Sequence, residues 1–173
     1  MLRSIVRLNR LNLMDFVRRF RPHQATFVPD AMGQVTSDHG WDTLQHKSFL
    51  TEIISELHKN NIRVSLFIEP VNQLIEAAKA TGADRIEFYT GPYAHDFFID
   101  KQKAIREFTA AAKFCNQINI GINAGHDLNL DNLKFFQQNI PNLLEVSIGH
   151  ALVRDCLYFG LENTIQLYLR ELE

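Results

Sequence analysis

RIEFYTG, at residues 85–91, has the composition of a buried β-strand, and four further runs of the chain share its character. Each run is short, rich in β-branched and aromatic residues, and closed by Pro, Gly, Asp or His, residue types that stop strands or lie at their functional ends. The four others are QATFVPD (24–30), RVSLFIEP (63–70), INIGINAG (118–125) and LLEVSIGH (143–150). Such mostly apolar runs are typical of strands that are covered on both faces.

Helical patterns occupy the intervals between these runs. Apolar residues recur at close to helical spacing in these intervals, and Gly82 is a typical residue to end the helix before it. The predicted helices are Trp41–Asn60, Val71–Thr81, Ile99–Gln117, Asp127–Asn139 and Leu157–Leu172. Strict alternation of strands and helices predicts a parallel sheet with helices outside it.

Two α/β architectures fit this alternation, a doubly wound sheet and a (β/α)₈ barrel. The first is favoured by a glycine-rich phosphate loop that opens the first helix, and the sequence has none. A barrel has its chemistry at the carboxyl ends of its strands, and polar residues cluster there: Asp30, Glu69, Glu87, Asn123, His126 and His150. We therefore predict a TIM-barrel type of fold. Since a complete barrel takes about 250 residues, the five units predict an incomplete one.

The amino-acid composition indicates the number of domains, the class of partner and the compartment. The 173 residues, of which 46% are hydrophobic, predict one soluble domain over 1–173. Within it, residues 1–15 form a divergent basic amino-terminal segment. The six arginines of residues 1–21 predict a basic helix with a solvated exposed face, and an organellar transit peptide is the alternative. The net charge of −2 provides no positive electrostatic field that would attract nucleic acid. No apolar run of the sequence is long enough to span a membrane. Two cysteines, Cys115 and Cys156, fit a reducing compartment, so we expect a cytoplasmic protein.

Two histidines follow predicted strands and are candidates for chemistry. His126, in INAGHD, comes after small residues that allow close approach to the backbone, and a histidine there can transfer protons near neutral pH. Gly149 and His150 precede a helical run, so bare N–H groups at that helix start could hold a phosphate. A structural hydrogen bond at His126 and a plain tight turn at Gly149 are the alternatives.

Other polar residues of the strand ends are weaker candidates. Alternation places Glu87 on the inner face of its strand, where a carboxylate is either functional or paired in a salt bridge. Thr36 and Ser37 lie in a polar loop and could bind a substrate hydroxyl or phosphate, whereas Ser37 or Asp38 could equally cap the next helix. Glu69 is expected to pair within the barrel mouth. No metal-ligand spacing is present, so we expect no metal.

Several motifs in this order resemble the pyridoxine 5′-phosphate synthase family, often called PdxJ. They are FVPD (27–30), QVTSDHGWD (34–42), RVSLFIEP (63–70), GADRIEFYTGPYA (82–94), INAGHDLNLDNL (122–133) and EVSIGHALVRDCLYFGLENTI (145–165). The resemblance implies a (β/α)₈ barrel that assembles as homo-octamers without a metal or organic cofactor. It also implies a transferase that condenses 1-deoxy-D-xylulose 5-phosphate with 3-amino-2-oxopropyl phosphate, giving pyridoxine 5′-phosphate, phosphate and water.

The resemblance also assigns roles to residues. His126 matches the proton donor of the family and Glu87 the strand glutamate that stabilises a transition state. Thr36 matches a contact to the sugar phosphate, and Asp127 matches a residue that binds through its backbone. Gly149 and His150 match the pair that holds the phosphate of the aminoketone.

The chain departs from the family at its amino terminus. The Asn-x-Asp-His motif, the histidine–arginine pair and the catalytic glutamate of the first three family strands are not in the sequence. We therefore expect the chain to correspond to the carboxyl-terminal part of a synthase and to have little or no activity alone. Two alternatives stay open: a non-catalytic chain that binds phosphorylated ligands or joins an oligomer, and another sugar-phosphate barrel enzyme. No lysine lies at the five strand ends, which disfavours an aldolase.

Overall fold

A computed structural model describes residues 13–29 and 36–173. Within these residues the five predicted strands are all present, and each is followed by at least one helix. The strands are β1 (Gln24–Phe27), β2 (Arg63–Ile68), β3 (Arg85–Tyr89), β4 (Gly121–Gly125) and β5 (Leu143–Ser147). The helices are α1 (Leu13–Phe20), α2 (Lys47–His58), α3 (Asn72–Ala80), α4 (Gly91–Gln117), α5 (Leu133–Asn139), α6 (His150–Phe159) and α7 (Leu161–Arg170).

The five strands form one parallel sheet in the order β1-β2-β3-β4-β5. Neighbours in the sequence are therefore neighbours in space, which is the strand order of a (β/α)₈ barrel. The sheet curves into a half-barrel with helices around its outside. This confirms the predicted incomplete barrel, with β1 and β5 at the two edges of the sheet in the described residues.

The outer face of the sheet is apolar and carries the core. Val64, Leu66 and Ile68 of β2 alternate along that strand and are completely buried, as are Ile86 and Phe88 of β3. Because alternate residues of a strand point to opposite faces, all five pack towards the helices. Within the described part of the chain, no helix has both the length and the apolar character needed to cross a membrane.

The inner face is polar, and its side chains lie in layers. In the lower layer, Glu145 of β5 accepts hydrogen bonds from Gln24 of β1 (3.0 Å), Arg63 of β2 (3.1 Å) and Asn123 of β4 (3.1 Å), and pairs with Arg85 of β3 at 2.7 Å. One carboxylate thus contacts a residue from each of the other four strands. The first and last strands are joined there by side chains.

Several predicted helix boundaries differ from the structure: α2 begins at Lys47 rather than Trp41, and α5 begins at Leu133 rather than Asp127. The helix after β3 begins at Gly91 rather than Ile99, and it is kinked at Asp100, whose φ of −154° is not helical. The Asp100 carboxylate accepts the backbone N–H groups of Gln102 and Lys103, which starts the second part of the helix. The last predicted helix is two helices, because Gly160 with φ +76° separates them.

Candidate functional site

A cavity of about 590 Å³ opens at the carboxyl ends of the strands. All six predicted site residues contribute to its lining: Thr36, Glu87, His126, Asp127, Gly149 and His150. They come from four separate parts of the sequence, and the parallel order of the strands brings them together because it aligns the strand ends at one edge. Asp30, another polar residue predicted at a strand end, lies outside the described residues.

His126 follows the last residue of β4 directly and lies at the wall of the cavity. Its Nδ1 atom is 2.9 Å from Oδ2 of Asp127, and about a fifth of its side chain is exposed. The ring packs edge-on against Tyr89, with 5.0 Å between the centroids, and also contacts Phe67. When Nδ1–H donates to Asp127, the Nε2 atom is left to exchange a proton with a ligand.

Glu87 points to the inner face of the half-barrel and is only 6% exposed. Thr26 of β1 donates a hydrogen bond to its Oε2 atom at 3.3 Å, and Ser147 of β5 also binds the carboxylate. Burial raises the pKa of Glu87 above its ordinary value, and these two hydroxyls oppose the rise only in part. The carboxyl group therefore holds a proton more readily than an exposed glutamate does.

Gly125 is the residue that makes room for Glu87. A Cβ atom at Gly125 would lie 2.4 Å from Oε1 of Glu87 and 3.0 Å from Cβ of Ser147. The small residues before His126 were predicted to allow close approach to the backbone, and the group that approaches Gly125 is this carboxylate.

The start of α6 forms another part of the cavity wall. Gly149 precedes the helix and His150 is its first residue, so the first backbone N–H groups have no partner within the helix. A Cβ atom at Gly149 would meet nothing within 4 Å, which leaves open space in front of the helix end. The partial positive charge of a helix start, with a histidine beside it, favours an anion.

The described part of the loop between β1 and α2 also contributes to the cavity lining. Thr36 and Ser37 line the cavity from this loop. Glu69, at the end of β2, accepts the backbone N–H of Gly40 at 2.8 Å, so its predicted pairing at the barrel mouth is with the loop backbone. Trp41 donates its ring N–H to the carbonyl of Phe27 at 3.1 Å. Asp42, and not Ser37 or Asp38, accepts the N–H groups of the turn before α2.

Several cavity residues were not predicted from the sequence, among them Phe67, Ser147 and Arg154. Phe67 and Ser147 lie on the inner face of β2 and β5, where alternation from Arg63 and Glu145 would have placed them. Arg154 lies four residues after His150 on α6, so both side chains are on the same face of the helix. Its guanidinium pairs with Asp155 at 2.9 Å.

Other polar residues of the sequence lie away from the cavity. Asn123 is buried in the lower layer with Glu145 and Arg85. His58 pairs with Asp84 at the opposite end of the sheet, and His95 is an exposed residue of α4. In residues 13–29 and 36–173, no three His, Cys, Asp or Glu side chains come together as a metal ion would require.

Known proteins provide an independent comparison. The family model described as "Pyridoxal phosphate biosynthesis protein PdxJ" matches residues 7–173. A pyridoxine 5′-phosphate synthase of Flavobacterium johnsoniae is 50% identical over 162 residues, covering 94% of this chain and 68% of that protein. The one from Cytophaga hutchinsonii is 57% identical over 157 residues, covering 91% and 66%. The chain thus spans about two thirds of the length of these relatives.

A solved structure also matches the fold. A chain in the crystal structure of the Amycolatopsis orientalis BexX/CysO complex superposes with a TM-score of 0.56, covering 91% of this chain and 59% of that one. Its sequence identity is 17%, so this likeness concerns the fold alone. The family match over nearly the whole sequence and the relatives at about 50% identity lead to one conclusion: the chain belongs to the PdxJ family of pyridoxal phosphate biosynthesis proteins.

Proposed function

We propose that this chain carries the phosphate-binding and proton-donating part of a pyridoxine 5′-phosphate synthase site. The family reaction condenses 1-deoxy-D-xylulose 5-phosphate with 3-amino-2-oxopropyl phosphate to give pyridoxine 5′-phosphate, phosphate and water. The observation that supports the proposal is the single cavity lined by Glu87, His126, Gly149 and His150. Relatives at 50–57% identity bear the name of this enzyme.

The start of α6 is the place proposed for a substrate phosphate. Its unpaired N–H groups and the open space at Gly149 suit an anion, and His150 and Arg154 line the same wall. Thr36, which also lines the cavity, would contact the sugar phosphate. Both substrates carry a phosphate, so the proposal gives one phosphate to the start of α6 and the other substrate to the part of the cavity at Thr36.

His126 and Glu87 are the groups proposed for the chemistry. Ring closure needs several proton transfers, each by a group within hydrogen-bond reach of the reacting atoms. His126, with its Nδ1 atom on Asp127, would donate a proton from Nε2. Glu87, whose pKa is raised by burial, would stabilise positive charge when ionised or donate a hydrogen bond when protonated.

The second candidate function is the binding of phosphorylated ligands without catalysis. Of the cavity residues, only His126 and Glu87 are assigned to proton transfer here, whereas the start of α6 can hold a phosphate without them. Loss of members of a catalytic set reduces rates by orders of magnitude. We expect the chain alone to bind phosphorylated ligands weakly and to form little or no pyridoxine 5′-phosphate.

We further propose that the chain is cytoplasmic and assembles with copies of itself, as the resemblance to an octameric family implies. Free cysteines at positions 115 and 156 suit a reducing compartment. Apolar side chains exposed along α6 and α7 support self-association; they are Val153, Leu157, Tyr158, Leu161 and Leu169.

A titration followed by NMR tests the proposed site. Pyridoxine 5′-phosphate or inorganic phosphate is added while the ring signals of His126 and His150 are recorded, with the exposed His95 as an internal control. Both cavity histidines should shift with saturation, and His95 should not. If neither cavity histidine responds at saturating ligand, the proposed site is wrong. Measurable synthesis of pyridoxine 5′-phosphate by the chain alone would refute the proposal of binding without turnover.

A further inference from the structure

The backbone at His126 and Asp127 has an unusual conformation. Their φ angles are +90° and +58°, and neither residue is a glycine. L residues seldom adopt such angles, and two in succession persist only when surrounding contacts hold them there. The direction of the His126 ring into the cavity depends on this conformation, so the contacts that hold the backbone bear on the site.

Side chains from two helix starts hold three successive carbonyl groups of this loop. The Thr90 hydroxyl shares its single proton between the carbonyl of Gly125, at 2.8 Å, and the carbonyl of His126, and the Thr90 N–H also donates to the carbonyl of Gly125 at 3.0 Å. Asn132 donates its amide to the carbonyl of Asp127 at 3.2 Å. Thr90 and Asn132 are both completely buried, so water does not compete for these bonds.

Thr90 and Asn132 share a second feature. Each is the residue immediately before a helix, Thr90 before α4 and Asn132 before α5, and neither caps its own helix with its side chain. Thr and Asn at this position ordinarily accept an N–H of the first helical turn. Here the Thr90 hydroxyl and the Asn132 amide donate to the loop that carries His126. The first turns of α4 and α5 therefore have no side-chain cap from these two residues, which instead hold three carbonyl groups of the loop after β4 by hydrogen bonds.

We propose that Thr90 is a positioning residue for His126: its hydroxyl holds the left-handed backbone that directs the imidazole into the cavity. The proposal rests on the proposed function, because His126 is the proton donor there. Thr90 does not line the cavity and acts only through His126. Asn132 assists by holding the next carbonyl, and the Tyr93 hydroxyl in turn binds the carbonyl of Asn132 at 2.7 Å.

The test compares Thr90→Val, which keeps the shape but removes the hydroxyl, with Thr90→Ser, which retains it. Thr43→Val is the matched control, because Thr43 is equally buried and donates its hydroxyl to the carbonyl of Leu74, away from His126. Two measurements are made on each full-length variant. The first is the intraresidue H^N–Hα NOE at positions 126 and 127, which is strong at positive φ. The second is the affinity for pyridoxine 5′-phosphate reported by the His126 ring.

Thr90→Val should lose the strong NOE at position 126 and weaken the affinity at His126 by roughly five- to tenfold, the factor for loss of one ordinary hydrogen bond. Thr90→Ser and Thr43→Val should keep both. An unchanged NOE pattern in Thr90→Val would overturn the proposal, as would an equal effect of Thr43→Val. If the parent chain binds no ligand, the proposed function fails while the NOE still decides whether Thr90 holds the loop.

Discussion

Gly125→Ala tests whether the Glu87 carboxyl group occupies the position that the structure gives it. The new Cβ atom would lie 2.4 Å from Oε1 of Glu87. Non-bonded carbon atoms in contact are about 3.5–4.0 Å apart, so the carboxyl group must move by roughly 1 Å. Since Gly125 has no positive φ, alanine fits the backbone there and only the side-chain contact is perturbed.

The expected cost is that of inserting one methyl group into a packed interior, about 1–3 kcal/mol. Glu87 cannot retreat freely, because Thr26 and Ser147 bind its carboxyl group from the edge strands. The free energy of unfolding, measured from urea denaturation followed by circular dichroism, should therefore fall by about 2 kcal/mol. Displacement of Glu87 should also weaken binding of pyridoxine 5′-phosphate.

A double-mutant cycle isolates the contact. In a Glu87→Ala background the oxygen is gone, and only the Cβ atom of Ser147 at 3.0 Å opposes the new methyl group. Gly125→Ala should then cost at least about 1 kcal/mol less than in the parent chain. Equal costs of Gly125→Ala in both backgrounds would refute the placement of Glu87.

Three further predictions use other contacts. Glu87→Gln should make the free energy of unfolding less dependent on pH. Burial raises the pKa of Glu87 in the folded chain, so the parent chain should lose stability as the pH rises from about 4.5 through that raised pKa. Parallel curves of stability against pH for the two proteins would contradict this. Tyr168→Phe should lower the free energy of unfolding by about 1.5–3 kcal/mol, because the Tyr168 hydroxyl donates at 2.7 Å to the buried carboxylate of Asp155. An unchanged denaturation midpoint would show that water replaces the hydroxyl. Leu157→Lys combined with Leu161→Glu should reduce light scattering at high concentration, since both side chains are more than half exposed and apolar; equal scattering by parent and variant would place the association elsewhere.

The strands were predictable because their composition differs sharply from that of the helices. Four of the five predicted strands begin at the observed residue, and the fifth begins at Gly121, three residues later than predicted. The segment before it still belongs to the end of α4: the Ile118 N–H binds the carbonyl of Phe114, and Asn119 has a φ of +54°. Periodicity cannot separate an apolar helix end from an apolar strand start.

The candidate-site residues that belong to sequence motifs were predictable, whereas residues that the fold alone brings to the site were not. His126 and Glu87 were found from the strand-end motifs and from alternation. Thr90 was not, because in sequence it belongs to the strand run RIEFYTG (85–91), and nothing in that run indicates that its hydroxyl reaches the backbone of the loop after β4. Arg154 was missed for a similar reason: on α6 it reads as one of many exposed charges, and only the cavity shows which way it faces.

The lower layer of the half-barrel has a consequence for hydrogen exchange. Gln24 and Glu145 are 121 residues apart, and their hydrogen bond joins the two edge strands across the open side of the sheet. Local opening of β1 must break this bond, so the protection of its amides against exchange should depend on a residue of β5. Glu145→Gln would then speed amide exchange in β1 as well as in β5, while the central strand β3 exchanges at the rate set by global unfolding. The two edges of the sheet would therefore open as one cooperative unit.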